Sequence, residues 1–263
     1  MTGSRFRNQV VVVTGGGSGL GAAVACGVSA EGGHVVVVDR NGAAARAVVD
    51  TFRTSGLAIE ADIADTNAAK EIVGQAVEHF GALHGFHANA GIAGPLANIT
   101  DVGPEAFDEV MRINVAGNFR CVQAALRYML ESGTHGAVLI TASVLGLIGA
   151  QGAAAYAMSK HALVGLTRCA ALESGSSQIR VNALCPGYID TPLMRATESV
   201  VGGGDTERGR QIIESSTSLR RYARVGEVSS LALWLLSDEA SYVNGACFSV
   251  DAAMAAGVSV TAQ

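Results

Sequence analysis

Tyr156 and Lys160 lie four residues apart in a segment that reads as helix, so about 40° separates them around the axis and both project from one face. An ammonium held beside a phenol favours phenolate and lowers the phenol pKa from about 10 toward the working range. Such a pair can exchange a proton with an alcohol or carbonyl oxygen. The same spacing also occurs in ordinary surface pairs that do no chemistry. Ser143 bears on the choice, because it follows a short apolar run at 137–141 that reads as a strand. Loops at the carboxyl ends of parallel strands are where doubly wound sheets hold ligands. Hydroxyl, phenol and ammonium can then converge.

A second constellation lies near the N-terminus. Thr14-Gly15-Gly16-Gly17-Ser18-Gly19-Leu20-Gly21 directly follows the first valine run and opens a helix. Gly15, Gly19 and Gly21 permit a tight turn and close backbone approach to a pyrophosphate, whose charge suits the free N–H groups and dipole of a helix N-terminus at Ser18 and Leu20. A glycine-rich turn alone is weak evidence of a site, and the strand before and helix after it give it weight. Asp39 ends the second strand, where a carboxylate accepts hydrogen bonds from ribose hydroxyls and repels a 2′-phosphate, which favours NAD over NADP. Arg40 beside it can pair with that phosphate, so NADP stays open. Asp62 and Ile63 follow the third strand and suit an adenine amino group and ring, or simply a solvated loop.

These residues need a scaffold that brings distant segments to one edge. Runs at 10–13, 35–38, 57–59, 83–88, 137–141, 179–184 and 247–250 read as strands, separated by amphipathic helical segments at 43–53, 67–80, 104–130, 151–172 and 227–236, with another opening near Ser18. Continuous apolar runs imply strands covered on both faces, and alternation with helices implies right-handed parallel crossovers. The expectation is a single-domain α/β Rossmann fold over 1–263, a doubly wound seven-stranded parallel sheet with helices on both faces. Residues 193–221 turn polar and Gly-rich around Gly202-Gly203-Gly204-Asp205, which fits a hinged substrate lid or a plain surface insertion.

Composition removes several function classes. Of 263 residues, 49% are hydrophobic and 16% charged, which points to surface hidden between subunits. A net charge of -5 supplies no field for nucleic acid or anionic lipid. The apolar stretch at 137–150 is shorter than the roughly 20 residues a membrane helix needs, and the N-terminal apolar run is too short for a signal peptide. Five scattered cysteines form neither a zinc pattern nor a disulfide framework and read as buried thiols. The expected protein is cytoplasmic, with no metal, no nucleic-acid partner and no membrane attachment.

Taken together, the Thr14-to-Gly21 turn, Asn89-Ala90-Gly91, Asn114, Ser143, Tyr156-Ala-Met-Ser-Lys160, and Pro186-Gly187 followed by Thr191-Pro192 resemble the compact, NAD-preferring branch of the short-chain dehydrogenase/reductase family over nearly the whole chain. The resemblance implies a catalytic set of Asn114, Ser143, Tyr156 and Lys160. Tyr156 is then the acid/base on the substrate oxygen and Ser143 a hydrogen-bond partner of that oxygen. Lys160 binds the nicotinamide ribose and tunes Tyr156, while the Asn114 carbonyl, freed by a helix kink, holds a relay water. Asn89 and Gly91 line the ribose; Pro186, Gly187, Ile189 and Thr191 line the nicotinamide end. Hydride moves on the pro-S face, and the assembly is a homotetramer built through the helices at 104–130 and 151–172 and through the C-terminal strand and tail. Departures are Ala88 where many members have a second Asn, and Ala252-Ala253 where many have two glycines after Asp. Gly16 and Gly17 stand where NADP-using relatives often place a basic residue.

The residues expected to face the nicotinamide are Ala93, Leu145, Leu147, Ala150, Tyr188, Leu193 and Met194, with Gln151 the main polar group. Such a pocket favours a neutral, moderately lipophilic secondary alcohol or ketone, because a carboxylate or phosphate needs a paired cation. Arg195, Arg220 or Arg221 can supply that cation, which keeps an NADPH-dependent 3-oxoacyl-thioester reductase as the alternative. A non-catalytic dinucleotide sensor is a minor third reading.

Overall fold

The valine runs have no polar face, so each strand they form must be covered on both sides. The computed structural model describes residues 4–257. It places β1 (Val10–Thr14), β2 (His34–Asp39), β3 (Gly56–Glu60), β4 (Gly85–Ala88), β5 (Gly136–Thr141), β6 (Ile179–Pro186) and β7 (Cys247–Val250) in one sheet of order β3-β2-β1-β4-β5-β6-β7. Every neighbouring pair is parallel. The order reverses between β1 and β4, which opens a crevice at the carboxyl edge.

Alternate residues of the strands feed two cores. Val11, Val13, Val35 and Val37 pack with Val24 and Val28 of α1 (Gly19–Ala30) and with Val228 and Ala232 of a late helix, Val225–Leu236. Val10, Val12, Val36 and Val38 belong to the other core, with Ile72 of Ala68–Phe80, Val122 of Asn118–Ser132 and Leu163 of Ala154–Ser174. Each such fully buried aliphatic side chain contributes about 1.5–3 kcal/mol over its exposed state. In chain order the remaining helices are α2 (Gly42–Val49), α3 (Ala68–Phe80), α4 (Pro104–Val110), α5 (Asn118–Ser132), α6 (Ala154–Ser174), α7 (Pro192–Val201), α8 (Thr206–Ser215) and α9 (Val225–Leu236).

The structure refines two sequence expectations and corrects a third. The helix expected at 104–130 is interrupted by a π-helical segment, Met111–Gly117, between α4 and α5. Its last residue faces Ile63 so closely that a Cβ on Gly117 would stand 3.0 Å from the Ile63 carbonyl. The Gly-rich region at 193–221 is a helical hairpin, α7 and α8. Gly202–Gly204 form its turn, and the Asp205 carboxylate accepts from the Arg208 N–H at 3.1 Å as the cap of α8. Glycine at 209 allows the two helices to touch, since a Cβ there would stand 1.8 Å from the Glu198 carbonyl oxygen. The thiols are all free, and Cys26 and Cys169 are exposed where buried ones were expected.

Among the described residues no helix is long and apolar enough to cross a membrane. After β7 the chain turns back over the carboxyl edge with Ala252 at φ 50° and Ala253 at φ 65°, in the left-handed region where an L side chain is strained. The Asp251 carboxylate holds the turn by accepting from the N–H groups of Ala253 at 3.1 Å and Ala255 at 2.9 Å. The end of the C-terminal tail, expected at a subunit interface, lies outside the described residues. Because Ala253 is exposed, Ala253→Gly relieves backbone strain without losing packing. The expected gain is about 0.5–1 kcal/mol after the glycine entropy cost, and urea unfolding of the two proteins side by side measures it.

Candidate active site

The turn after β1 is built for an anionic ligand. Gly15 and Gly19 have φ of 61° and 52°, and a Cβ on Gly15 would meet the Ala90 Cα at 2.9 Å. Ser18 is the N-cap of α1 but places no side-chain bond on it, so the first-turn N–H groups keep no capping partner. Gly21 stands behind this surface, where a Cβ would strike the Gly15 carbonyl oxygen at 2.2 Å. Gly21 therefore has a packing role that lets the turn close, and its side-chain position does not border the cavity.

Asp39 Oδ2 accepts from the Gly17 N–H and Oδ1 from the Asn41 N–H, both at 3.0 Å. The carboxylate is thus aimed by backbone on both sides and retains lone pairs for a further donor. A Cβ on Gly17 would stand 2.9 Å from Asp39 Oδ2, which explains physically why this turn carries no side chain there. Asp62 Oδ1 accepts from the Ala64 N–H at 2.9 Å, and Ile63 is buried against the π-helical segment. These features pass the test for a dinucleotide: a cradle that Cβ atoms would fill, an uncapped helix start, and an aimed carboxylate at the end of β2.

Asn89 and Asn114 serve the frame more than the ligand. Asn89 Nδ2 donates to the carbonyls of Thr14 at 3.0 Å and Gly15 at 3.3 Å, and its Oδ1 accepts from the Thr141 hydroxyl at 3.1 Å. Its polar side-chain atoms are therefore engaged within the protein, although it borders the cavity. Asn114 Oδ1 accepts from the Ile92 N–H and its Nδ2 donates to the Ile92 carbonyl, both at 2.9 Å, and to Ser159 Oγ at 3.1 Å. The Asn114 carbonyl, expected to be free, accepts from Asn118 Nδ2 at 2.9 Å. Asn118 Nδ2 also reaches the Ala90 carbonyl at 2.9 Å. Sequence reasoning missed Asn118 and Ser159, though an Asn pair at i, i+4 and the serine inside the Tyr-to-Lys spacing were the available signals.

Ser143 leaves β5 in extended backbone, and its Oγ accepts from the Leu145 N–H at 3.1 Å, which frees the hydroxyl proton to be donated. Tyr156, half-buried at the start of α6, is pushed above the usual phenol value by burial, with Ser143 hydrogen bonding acting in the opposite direction. Lys160 Nζ donates to the Thr141 carbonyl at 2.9 Å and sits 5.4 Å from the Tyr156 ring centroid. Burial pushes the Lys160 pKa down to about 8, with Cys185 opposing. The Tyr156 phenol is thus shifted opposite to the lowering expected from Lys160, because burial outweighs the bond from Ser143, while the ammonium lies over the ring face and donates to the Thr141 carbonyl.

One cavity of about 750 Å³ joins these groups: Gly15, Ser18, Gly19, Leu20, Asp39, Asp62, Ile63, Asn89, Gly91, Ser143, Tyr156, Lys160, Pro186, Gly187, Ile189 and Thr191 all border it. Asn114 lies behind the wall, fully buried. Beyond Tyr156 the lining is apolar, with Ala93, Leu145, Ala150, Tyr188, Leu193 and Met194 as expected and Gln151 polar at the mouth. Leu147 packs into the core instead. Met254, unforeseen, enters from the C-terminal turn, where a Cβ on Gly187 would stand 3.0 Å from its sulfur.

The lid arginines turn away from the cavity. Arg195 bonds Asp190 and Glu198, Arg221 bonds Glu227, and Arg220 donates to the Ser215 carbonyl. Arg210 bonds Asp190 and Glu214 and lies over the Tyr222 ring. The charges of Arg195 and Arg210 are committed to holding the hairpin, and that of Arg221 to the start of α9.

A family model described as Enoyl-(Acyl carrier protein) reductase matches residues 15–254. A 2,5-dichloro-2,5-cyclohexadiene-1,4-diol dehydrogenase of Sphingobium indicum is 37% identical, over 94% of this chain and 97% of its own length. Levodione reductase of Leifsonia aquatica is 37% identical over 96% of each chain. A crystal structure of levodione reductase superposes with a TM-score of 0.92 at 35% identity, covering 96% of this chain and all of that one. An NAD+-bound xylitol dehydrogenase gives 0.88 at 30% identity, over 93% and 98%. With the parallel sheet, the glycine turn and the Ser143–Tyr156–Lys160 cluster in place, this agreement along the full chain makes the protein a member of the short-chain dehydrogenase/reductase family of oxidoreductases.

Proposed function

We propose that this enzyme uses NAD(H) to interconvert a neutral, moderately lipophilic secondary alcohol and its ketone, with an alicyclic ring as the preferred frame. The observation that carries the reading is a single cavity with a backbone-aimed Asp39 at one end and Ser143, Tyr156 and Lys160 at the other, beyond which the wall is apolar. Relatives named for cyclic diols and for levodione support the substrate class, and an NAD+-bound neighbour supports the cofactor. The pairing of Arg195, Arg220 and Arg221 removes support from an acyl-thioester substrate.

Bound in the cradle, the dinucleotide supplies or accepts the hydride. Ser143 donates its free hydroxyl proton to the substrate oxygen and steadies the charge that develops there. Tyr156 transfers a proton to that oxygen in reduction and takes it back in oxidation. Burial keeps the phenol protonated at neutral pH, which readies the reductive direction. Lys160 holds the nicotinamide ribose and restores the Tyr156 proton, with Asn114 retaining a carbonyl lone pair for a relay water beside Asn118. The α7–α8 hairpin covers the substrate and keeps bulk water out.

The working assembly is a homotetramer in the cytoplasm, where five free thiols stay reduced. An apolar groove between α5 and α6, with Phe119 and Leu130 half-exposed beside it, supports one of its interfaces.

Three outcomes test this reading. Purified protein should oxidise NADH at 340 nm when cyclic ketones are added, and Tyr156→Phe should lower turnover by about 10²–10⁴-fold while NADH still binds; equal turnover by the variant sinks the acid/base assignment. Asp39→Ser should shift the ratio of NADH to NADPH affinity toward NADPH by about tenfold or more, the equivalent of one charged contact. The third concerns pH. Lys160 is protonated below about 8 and neutral above it, so ketone reduction at limiting ketone should fall as pH rises through that value. An unchanged rate from pH 7 to 9.5 would remove the ammonium from the mechanism.

A further inference from the structure

His87 lies on β4 with its side chain fully buried, and nothing in the proposed chemistry uses it. Its Nε2 is 2.8 Å from Thr141 Oγ1, while Nδ1 has no partner. Its tautomer follows from its neighbours. The Asn89 amide is oriented by the carbonyls of Thr14 and Gly15, which can only accept, so Nδ2 faces them and Oδ1 faces Thr141. Oδ1 also only accepts, and the single proton of the Thr141 hydroxyl must go to it. Thr141 Oγ1 is then left to accept from His87, which places the ring proton on Nε2. The opposite tautomer sets two acceptors face to face at Asn89 and Thr141 and leaves an Nδ1–H with no acceptor in the core.

We infer that His87 is a positioning residue: as an Nε2–H imidazole it fixes the Thr141 hydroxyl, and through it both the amide that braces the glycine turn and the residue whose carbonyl receives Lys160. The consequence for activity rests on the proposed reading of Lys160 and the glycine turn; the tautomer does not. The backbone of His87 is tied into the same network, since Thr14 Oγ1 donates to the His87 carbonyl at 3.4 Å and accepts from the N–H groups of Asn89 at 3.0 Å and Ala90 at 3.2 Å. Burial pushes the imidazole pKa down to about 3, so the donor persists across any working pH.

Two measurements on the full chain test the inference. The first is proton–nitrogen NMR of the histidine rings, with His87 assigned by its absence in H87Q; the expected signature is a protonated Nε2 and a bare Nδ1. The second compares NADH affinity and ketone turnover in H87L, which has no donor, with H87Q, whose amide N–H reaches about as far. H87L should weaken NADH and lower kcat by about tenfold each, the scale of one buried hydrogen bond, and H87Q should recover both to within about threefold. A proton on Nδ1, or native NADH affinity in H87L, overturns the inference. Should H87L not fold, T141V against T141S reads the same hydroxyl, with equal NADH affinity in the two counting against it. Neither the NMR signature nor NADH affinity needs turnover, so failure to reduce any ketone would sink the enzymatic reading alone.

Discussion

β1, β4 and β5 end at the same edge of the sheet, where their last backbone groups have no further strand to pair with. Buried donors and acceptors left in that position cost about 1–3 kcal/mol each. Thr14, Asn89 and Thr141 meet this constraint by bonding one another across the three strands. Everything the site needs hangs from that junction. The glycine turn continues from Thr14, the loop to Asn114 continues from Asn89, and Ser143 and the carbonyl that holds Lys160 continue from Thr141. The glycine turn and the Tyr156–Lys160 pair, from segments more than a hundred residues apart in sequence, can share one cavity because their strands are stitched at this point.

The same economy governs the helix that faces the junction. Opening α4–α5 into a wide turn at Met111–Gly117 releases the Asn114 carbonyl from the α-helical ladder, and Asn118 takes it up. Asn114 and Asn118 together clamp residues 90–92 through three bonds to Ala90 and Ile92, and a fourth joins Asn118 to the Asn114 carbonyl. The loop that borders this side of the cavity is therefore held by side chains rather than by regular secondary structure.

Strand positions were legible in the sequence because continuous β-branched runs between helical segments permit few alternatives, and all seven strands fall where those runs lie. The cavity residues were legible where a motif joined residue type to spacing, as in Thr14-to-Gly21 and Tyr156–Lys160. What was not legible depends on contacts between distant segments. Periodicity at 104–130 is the same for an α-helix as for one with a π-helical insert. The helices α7 and α8 were hidden by Gly202–Gly204, which as a turn between helices has the same composition as a loop. Leu147 has the character of a pocket residue, and only the direction of its turn sends it to the core. The direction of the phenol shift was missed because spacing gives the distance between Tyr156 and Lys160 but not how deeply the fold buries the phenol.

Asp39 and Gly17 touch, and that contact orders the routes by which this lineage can change. Any side chain at 17 collides with the carboxylate while Asp39 is present, so a cationic residue cannot enter the turn first. A base at position 17 requires that both the acid of Asp39 and the methyl of Ala44, each 2.9 Å from a Cβ there, give way, and a base that enters first passes through a protein with a distorted turn. Two neighbouring sites that a sequence comparison would score as independent are, in this fold, successive steps of one epistatic path.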